Sequence, residues 1–112
     1  MQDNFIRDIT GCASGELYAL QVKGESMEPE FPDGNVIIID PTGVLRDGSY
    51  VIAVLNNEYV FRQYRRHEGR HFLGILKDDS ETIEISGTDV IKGIIIQQSE
   101  PGKGRKGRKF YT

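Results

Sequence analysis

The chain has 112 residues, of which 38% are hydrophobic, and this length predicts one domain with a small core. The single cysteine, Cys12, excludes an internal disulfide and is interpreted as a free thiol, which fits a reducing cytoplasm. No apolar run is long enough to span a membrane, and the N-terminus lacks the basic and apolar stretches of a secretory signal. We therefore expect a cytoplasmic protein with no membrane partner.

The charge is unevenly distributed along the chain. The net charge is −3, yet residues 101–112 contain five basic residues and no acid. Nine basic residues and 17 acids remain in residues 1–100, which gives that part a net charge of −8. An acidic body is unlike a nucleic-acid-binding surface, whereas the basic end has the charge to contact phosphate or an acidic partner. Three glycines at this end favour the alternative of a basic, flexible, solvated tail over residues 98–112.

The chain begins with a polar segment and continues as short β-strands. Residues 1–16 are interrupted by Gly11 and Gly15 and are predicted to form an N-terminal arm or linker. From residue 17 onward, short apolar runs rich in Val, Ile, Tyr and Phe alternate with Gly, Asn and Asp turns. The predicted strands are 17–23, 35–39, 50–55, 58–65, 71–76, 82–86 and 90–97. No helical period is visible, so the predicted fold is all-β, a small curled antiparallel domain around one core.

A sharp corner between the first two predicted strands contains Ser26, in the sequence Gly24-Glu25-Ser26-Met27-Glu28-Pro29. Glycine gives the backbone freedom that a tight corner needs, and Pro29 prevents a regular strand from continuing. Such a corner exposes a side-chain oxygen and leaves backbone N–H groups free to face a reacting carbonyl. The alternative is that Ser26 only forms a turn, as serines beside Gly and Pro usually do.

Two loops follow in the second half of the chain. Asn56-Asn57 is predicted to be a tight hairpin loop, because Asn tolerates the left-handed region. Residues 67–71 spell H-E-x-x-H, a zinc-protease signature that requires a helix with both histidines on one face. Gly69 weakens any helix there, and β-like runs flank the motif, so we predict a hairpin loop, no metal site and no cofactor.

The segments Tyr18 to Asp40, YALQVKGESMEPEFPDGNVIIID, and Val44 to Arg66, VLRDGSYVIAVLNNEYVFRQYRR, resemble the peptidase S24 family. This family includes the C-terminal domains of LexA-type and phage repressors and accessory subunits of translesion polymerases. The resemblance rests on G-[DE]-S-M-x-P followed by P-D-G-x, on the hydrophobic strand that ends in Asp40, and on residues 90–95. It covers roughly residues 17–97 and implies a LexA/signal-peptidase-like β-domain over that range.

The resemblance also implies a chemistry and an assembly. The family dimerises, and it uses a Ser–Lys dyad to cut its own chain upstream of the domain, often after a co-regulator binds. Ser26 matches the nucleophile, and its N–H and those of its neighbours would be the oxyanion donors. A gap-free alignment places Arg62 where the general-base lysine is expected. A guanidinium stays protonated and has no acceptor lone pair, so Arg62 cannot take the serine proton.

Two further features bear on catalysis. Lys23, Lys77 and Lys92 are alternative bases, but each would need burial to lower its pKa to a useful range. The family cuts at a small-residue pair upstream of the serine. The small residues at 12–15 lie too close to Ser26 and in the wrong order to match that pair.

We therefore predict a self-cleavage and dimerisation domain of a repressor or DNA-damage (SOS) regulator, with impaired or lost Ser–Lys catalysis. The expected partners are a second copy of the chain and a co-regulator protein, with DNA bound only through a domain outside this chain. An active serine self-peptidase and a polymerase-accessory protein are the alternatives. A β-scaffold that carries a nucleic-acid-binding basic tail is a third.

Overall fold

The structure is a computed structural model that describes residues 16–78 and 81–111. The predicted N-terminal arm, except for Glu16, lies outside the described residues. The strands are β1 (Tyr18–Gln21), β2 (Val36–Asp40), β3 (Tyr50–Leu55), β4 (Glu58–His67), β5 (Arg70–Gly74), β6 (Ile83–Ile85), β7 (Ile91–Ser99) and β8 (Arg108–Phe110), with a 3₁₀ turn at Gly104–Gly107. The prediction of an all-β domain is therefore confirmed.

The strands form one antiparallel sheet in the order β1-β2-β7-β3-β4-β5-β6, with β8 also paired to β7. Five of the neighbouring pairs join strands that are consecutive in the chain, whereas β7 returns to lie between β2 and β3. β7 thus has partners along both edges. Its apolar run, Ile94 to Ile96, is covered on both faces, because Ile94 packs in one hydrophobic cluster and Ile95 in the other.

The sheet carries two hydrophobic clusters, because alternate residues of a strand point to opposite faces. In the first cluster, Ile52 and Phe61 pack with the loop residues Met27 and Phe31. In the second, Val51 and Tyr64 pack with β5, β6 and β7 residues. Ile52 lies opposite Phe61 and Val51 lies opposite Arg62, so the β3–β4 register decides which side chain joins which cluster.

The two predicted hairpin loops are confirmed. Asn56 and Asn57 join β3 to β4 with φ of 52° and 67°, the left-handed values that a two-residue turn of this kind requires. Glu68 and Gly69, with φ of 52° and 77°, join β4 to β5. The H-E-x-x-H residues therefore lie in a β-hairpin, where the helical spacing of the zinc signature does not occur.

The C-terminal segment differs from the prediction. Residues 98 and 99 belong to β7, and β8 pairs with β7 in the register Gln97↔Phe110 to Ser99↔Arg108. The prediction of a tail without regular structure is therefore wrong for these residues, and the predicted division at residue 97 falls inside β7. The glycines of this segment do not prevent regular structure, because Gly102 and Gly104 take positive φ values of 84° and 59° in the turns before β8.

Side chains fasten this segment to the loop that follows Ser26. Tyr111 Oη donates a hydrogen bond of 2.5 Å to Glu30 Oε2 and accepts one of 2.8 Å from Gln98 Nε2. Lys109 Nζ lies 2.6 Å from Glu30 Oε2. The Tyr111 ring packs at 5.4 Å from the ring of Phe31. We call Glu30, Gln98, Lys109 and Tyr111 the C-terminal clasp.

Ionisation of the clasp residue Tyr111 makes the stability of the fold depend on pH in the alkaline range. Burial first, and the hydrogen bond to Glu30 second, raise the pKa of Tyr111, and burial also raises the pKa of Tyr50. A pKa raised in the folded state stabilises the fold at pH values below the unfolded tyrosine pKa of about 10, and this stabilisation is lost as pH rises further. We therefore expect the free energy of unfolding to fall above about pH 10.

Tyr111→Phe is expected to lower the free energy of unfolding by about 1–2 kcal/mol at neutral pH, because a hydrogen bond to a charged group is lost. The variant is also expected to lose less stability above pH 10 than the wild type, with the remaining slope due to Tyr50. Urea denaturation at neutral and alkaline pH measures both effects. Tyr59→Phe is the matched control, since Tyr59 is 46% exposed. Equal alkaline slopes in wild type and Tyr111→Phe would contradict the clasp.

Candidate functional site

The Ser26 corner is held closed where the chain enters and leaves it. The N–H of Gly24 donates to Asp33 Oδ1 at 2.7 Å, and Gly24 has φ of 91°. Backbone hydrogen bonds of 2.8 Å join Val22 to Asn35 and Gly34 to Val22. The motif glycine thus has a conformational role, since a side chain at this φ would be strained.

Within the corner, Ser26 is half-buried and Met27 is buried in the first cluster. The Ser26 carbonyl oxygen accepts hydrogen bonds from the N–H groups of Leu76 (3.0 Å) and Lys77 (3.1 Å), which fixes the corner to the segment after β5. The N–H of Glu28 donates to the carbonyl of Glu25 at 3.0 Å and is therefore occupied. The N–H groups of Ser26 and Met27 remain among the candidate oxyanion donors.

A second contact joins the same two segments. Lys77 Nζ and Glu25 Oε1 form a hydrogen-bonded ion pair. The hydrogen bond that Lys77 donates to Glu25, and the negative charge of Glu25, raise the pKa of Lys77. This residue pair was missed by the sequence reasoning, because 52 residues separate the partners and no local pattern links them.

Arg62 lies in the middle of β4, opposite Val51 of β3, and is half-buried. Its Nη1 donates a hydrogen bond of 2.9 Å to the carbonyl oxygen of Phe61. Phe61 packs in the first cluster with Met27, so strand alternation directs Arg62 to the other face of β4. The contacts of the described residues do not join Ser26 Oγ to Arg62, and their assignment as a catalytic pair stays a prediction.

All six lysines of the chain are among the described residues, and every one of them is exposed. They are Lys23, Lys77, Lys92, Lys103, Lys106 and Lys109. Lys92 donates to the carbonyl of Asp89, and Lys77 is held protonated by Glu25. A lysine acts as a general base near neutral pH only when burial or a neighbouring cation lowers its pKa. None of the three alternative bases has the burial that this role requires.

The two histidines of the H-E-x-x-H pattern are engaged elsewhere. His71 Nδ1 is hydrogen-bonded to Tyr64 Oη at 2.6 Å. His67 Nε2 lies 3.7 Å from Glu68 Oε2 on an exposed turn. In the described part of the chain, no group of three or more His, Cys, Asp or Glu side chains is arranged to hold a metal ion.

Residues 16–78 and 81–111 also contain no helix of the length and hydrophobicity that a membrane crossing needs.

The corner, the β-domain around it and the strand carrying Arg62 match a known family. The profile of the family described as Peptidase S24-like matches residues 3–96. The chain belongs to the peptidase S24-like family. The match begins at residue 3, earlier than the segment from residue 17 on which the sequence resemblance rests.

Individual relatives of this S24-like chain are repressors and transcriptional regulators. An HTH-type transcriptional regulator for conjugative element R391 from Providencia rettgeri is 35% identical over 98 residues, covering 81% of this chain and 46% of that protein. Repressor protein C2 of Salmonella phage P22 is 34% identical over 95 residues, covering 80% and 44%. A LexA repressor from Erythrobacter litoralis is 43% identical over 58 residues, covering 50% and 25%. The chain thus spans less than half the length of these relatives.

Proposed function

We propose that this S24-like domain is the self-associating regulatory module of a LexA-like or phage-type repressor, and that its Ser–Lys catalysis is impaired or lost. The repressor and regulator names of the relatives support the first part. In this proposal Ser26 keeps the nucleophile position and Arg62 stands at the position of the base. The domain acts by dimerising and by contacting a co-regulator, and the dedicated DNA-binding domain lies in another part of the protein.

The observation that supports the loss of catalysis is the exposure of every lysine in the chain, together with the family resemblance that aligns Arg62 with the position of the base. A serine hydroxyl needs a neighbouring group that accepts its proton. Arg62 has no acceptor lone pair, and Lys77 beside the corner is kept cationic by Glu25. In this proposal the Ser26 corner presents two N–H groups and a serine hydroxyl on the surface, but no general base lies beside them.

The dimer is tested by sedimentation velocity from low to high micromolar protein concentration, because dimer formation depends on concentration. We expect the 12.6 kDa chain to convert to a species of twice that mass as concentration rises. Ser26→Ala should dimerise equally, since the proposal separates assembly from catalysis. A protein that remains monomeric at high micromolar concentration would contradict the self-associating role.

A further inference from the structure

A cleft lies between the loop that follows Ser26 and the C-terminal segment. It has a volume of about 340 Å³. Pro29, Glu30 and Pro32 form one wall, and the other wall is formed by residues 106–109. The amide side chains of Asn35 and Gln98 also line it and are hydrogen-bonded to each other at 2.7 Å. The clasp closes one side of this cleft, so its shape depends on the folded C-terminal segment.

The basic residues around the cleft whose side chains the structure describes divide into two groups. Lys109 is neutralised by Glu30 at 2.6 Å, and Lys103 lies 4.0 Å from Glu100. Lys106 and Arg108, which line the cleft with Lys109, are exposed, and neither forms an ion pair with another described residue. The two acids are therefore already matched, and the positive charge of Lys106 and Arg108 is available to a ligand.

We infer that Lys106 and Arg108 bind the phosphate backbone of duplex DNA, as a contact separate from any dedicated DNA-binding domain. The explanation of these charges as a solvated, unstructured tail no longer holds, because β8 and the clasp fix the segment on the domain. Fixed cations lose less conformational freedom on binding than cations on a disordered tail. The inference does not depend on Ser26 or Arg62.

The composition of the cleft favours phosphate over the other anionic partners. A peptide ligand needs buried aromatic or aliphatic anchors for affinity, and the two prolines are the only apolar residues among the described lining residues. Proteins that bind single-stranded nucleic acid stack successive bases on several aromatic side chains. On β8 a single exposed aromatic side chain, Phe110, is present, which is too few for this mode of binding. Phosphodiester contacts require only charge and hydrogen-bond donors.

The acidic remainder of the chain restricts how DNA approaches. Residues 1–100 carry a net charge of −8 and repel a polyanion. The duplex therefore contacts only the C-terminal edge, with two phosphates neutralised by Lys106 and Arg108. Two contacts predict a slope of about −1.8 in log K against log salt, or about a 12-fold loss of affinity between about 50 mM and 200 mM salt.

The experiment is fluorescence anisotropy of a labelled DNA duplex of arbitrary sequence, titrated with the whole chain at several salt concentrations. Lys106→Ala is expected to reduce the salt slope by about 0.9, and Arg108→Ala should do the same. Lys92→Ala is the matched control, because Lys92 is also exposed but lies at the opposite end of β7. Circular dichroism verifies that each variant is folded.

Three results would overturn the inference. The first is an equal effect of Lys106→Ala and Lys92→Ala, which would mean that the whole surface and not the cleft determines binding. The second is tighter binding of a single strand of the same length. The third is binding of a labelled oligoglutamate peptide without binding of the duplex, which would assign the cleft to an acidic protein partner. Sedimentation and cleavage results on the proposed repressor module leave this inference unaffected.

Discussion

Arg62→Lys is expected to cleave its own chain at alkaline pH, while the wild type stays intact. Lysine at this position has a neutral form with a lone pair, and near pH 10 it approaches its ordinary pKa of about 10.4. A positioned general base contributes roughly 100- to 10,000-fold in rate. Intact-mass measurement of the full natural gene product, incubated at pH 7 and near pH 10, detects the fragments directly.

The control is the double variant Ser26→Ala, Arg62→Lys, which should remain intact under both conditions. Cleavage of the wild type that Ser26→Ala abolishes would contradict the proposed loss of catalysis and would mean that another group acts as base. Circular dichroism must accompany each time point, because ionisation of Tyr111 and Tyr50 destabilises the fold above about pH 10. A cleavage rate that rises with pH before the fold is lost would identify titration of the new lysine as the cause.

Phe31→Ala is expected to lower the free energy of unfolding by about 3–5 kcal/mol. Phe31 is fully buried, and its ring lies 4.7 Å from Tyr50, 4.9 Å from Phe61 and 5.4 Å from Tyr111. Removing it leaves a cavity that a sheet on one side and a short loop on the other cannot easily fill. Because a small domain has only about 5–15 kcal/mol of total stability, the urea midpoint should fall sharply.

Phe110→Ala is the matched control for this prediction. Phe110 is 68% exposed on β8, so the same substitution should change the free energy of unfolding by no more than about 0.5 kcal/mol. Equal losses in the two variants would mean that Phe31 does not anchor the loop. Phe31 lies five residues after Ser26, and its N–H donates to the Met27 carbonyl at 2.8 Å. Loss of the anchor should therefore also loosen the Ser26 corner.

The strands were largely predictable because each is a local pattern. β3 was predicted with its observed bounds, and the other central strands differ mainly at their ends, where hydrogen bonds to a neighbour extend or shorten a strand. β8 was not predicted, because its three residues, Arg108–Phe110, are all exposed and follow a glycine-rich run. It forms because the partly buried Tyr111 packs against the first cluster and Glu30 of the clasp pairs with Lys109, and these long-range contacts leave no periodic signal.

The sequence predicts which positions belong to the candidate site, but not the burial or the contact partners of their side chains. Ser26 and Arg62 were singled out from short motifs whose spacing is local. The exposure of all the lysines, the Lys77–Glu25 ion pair and the Phe61 carbonyl as partner of Arg62 required the structure. Sequence reasoning could state that a lysine base needs burial, but burial is a property of the complete sheet.

The place of β7 between β2 and β3 has a consequence for synthesis on the ribosome. Among the described strands, the β1–β2 pair joins the rest of the sheet only through β7, whose residues 91–99 are made long after β2 ends at Asp40. Until then the Val-Ile-Ile-Ile edge of β2 has no partner, and an unpaired apolar strand edge invites pairing with other chains. The nascent chain should thus be most prone to pairing with other chains before β7 has left the exit tunnel.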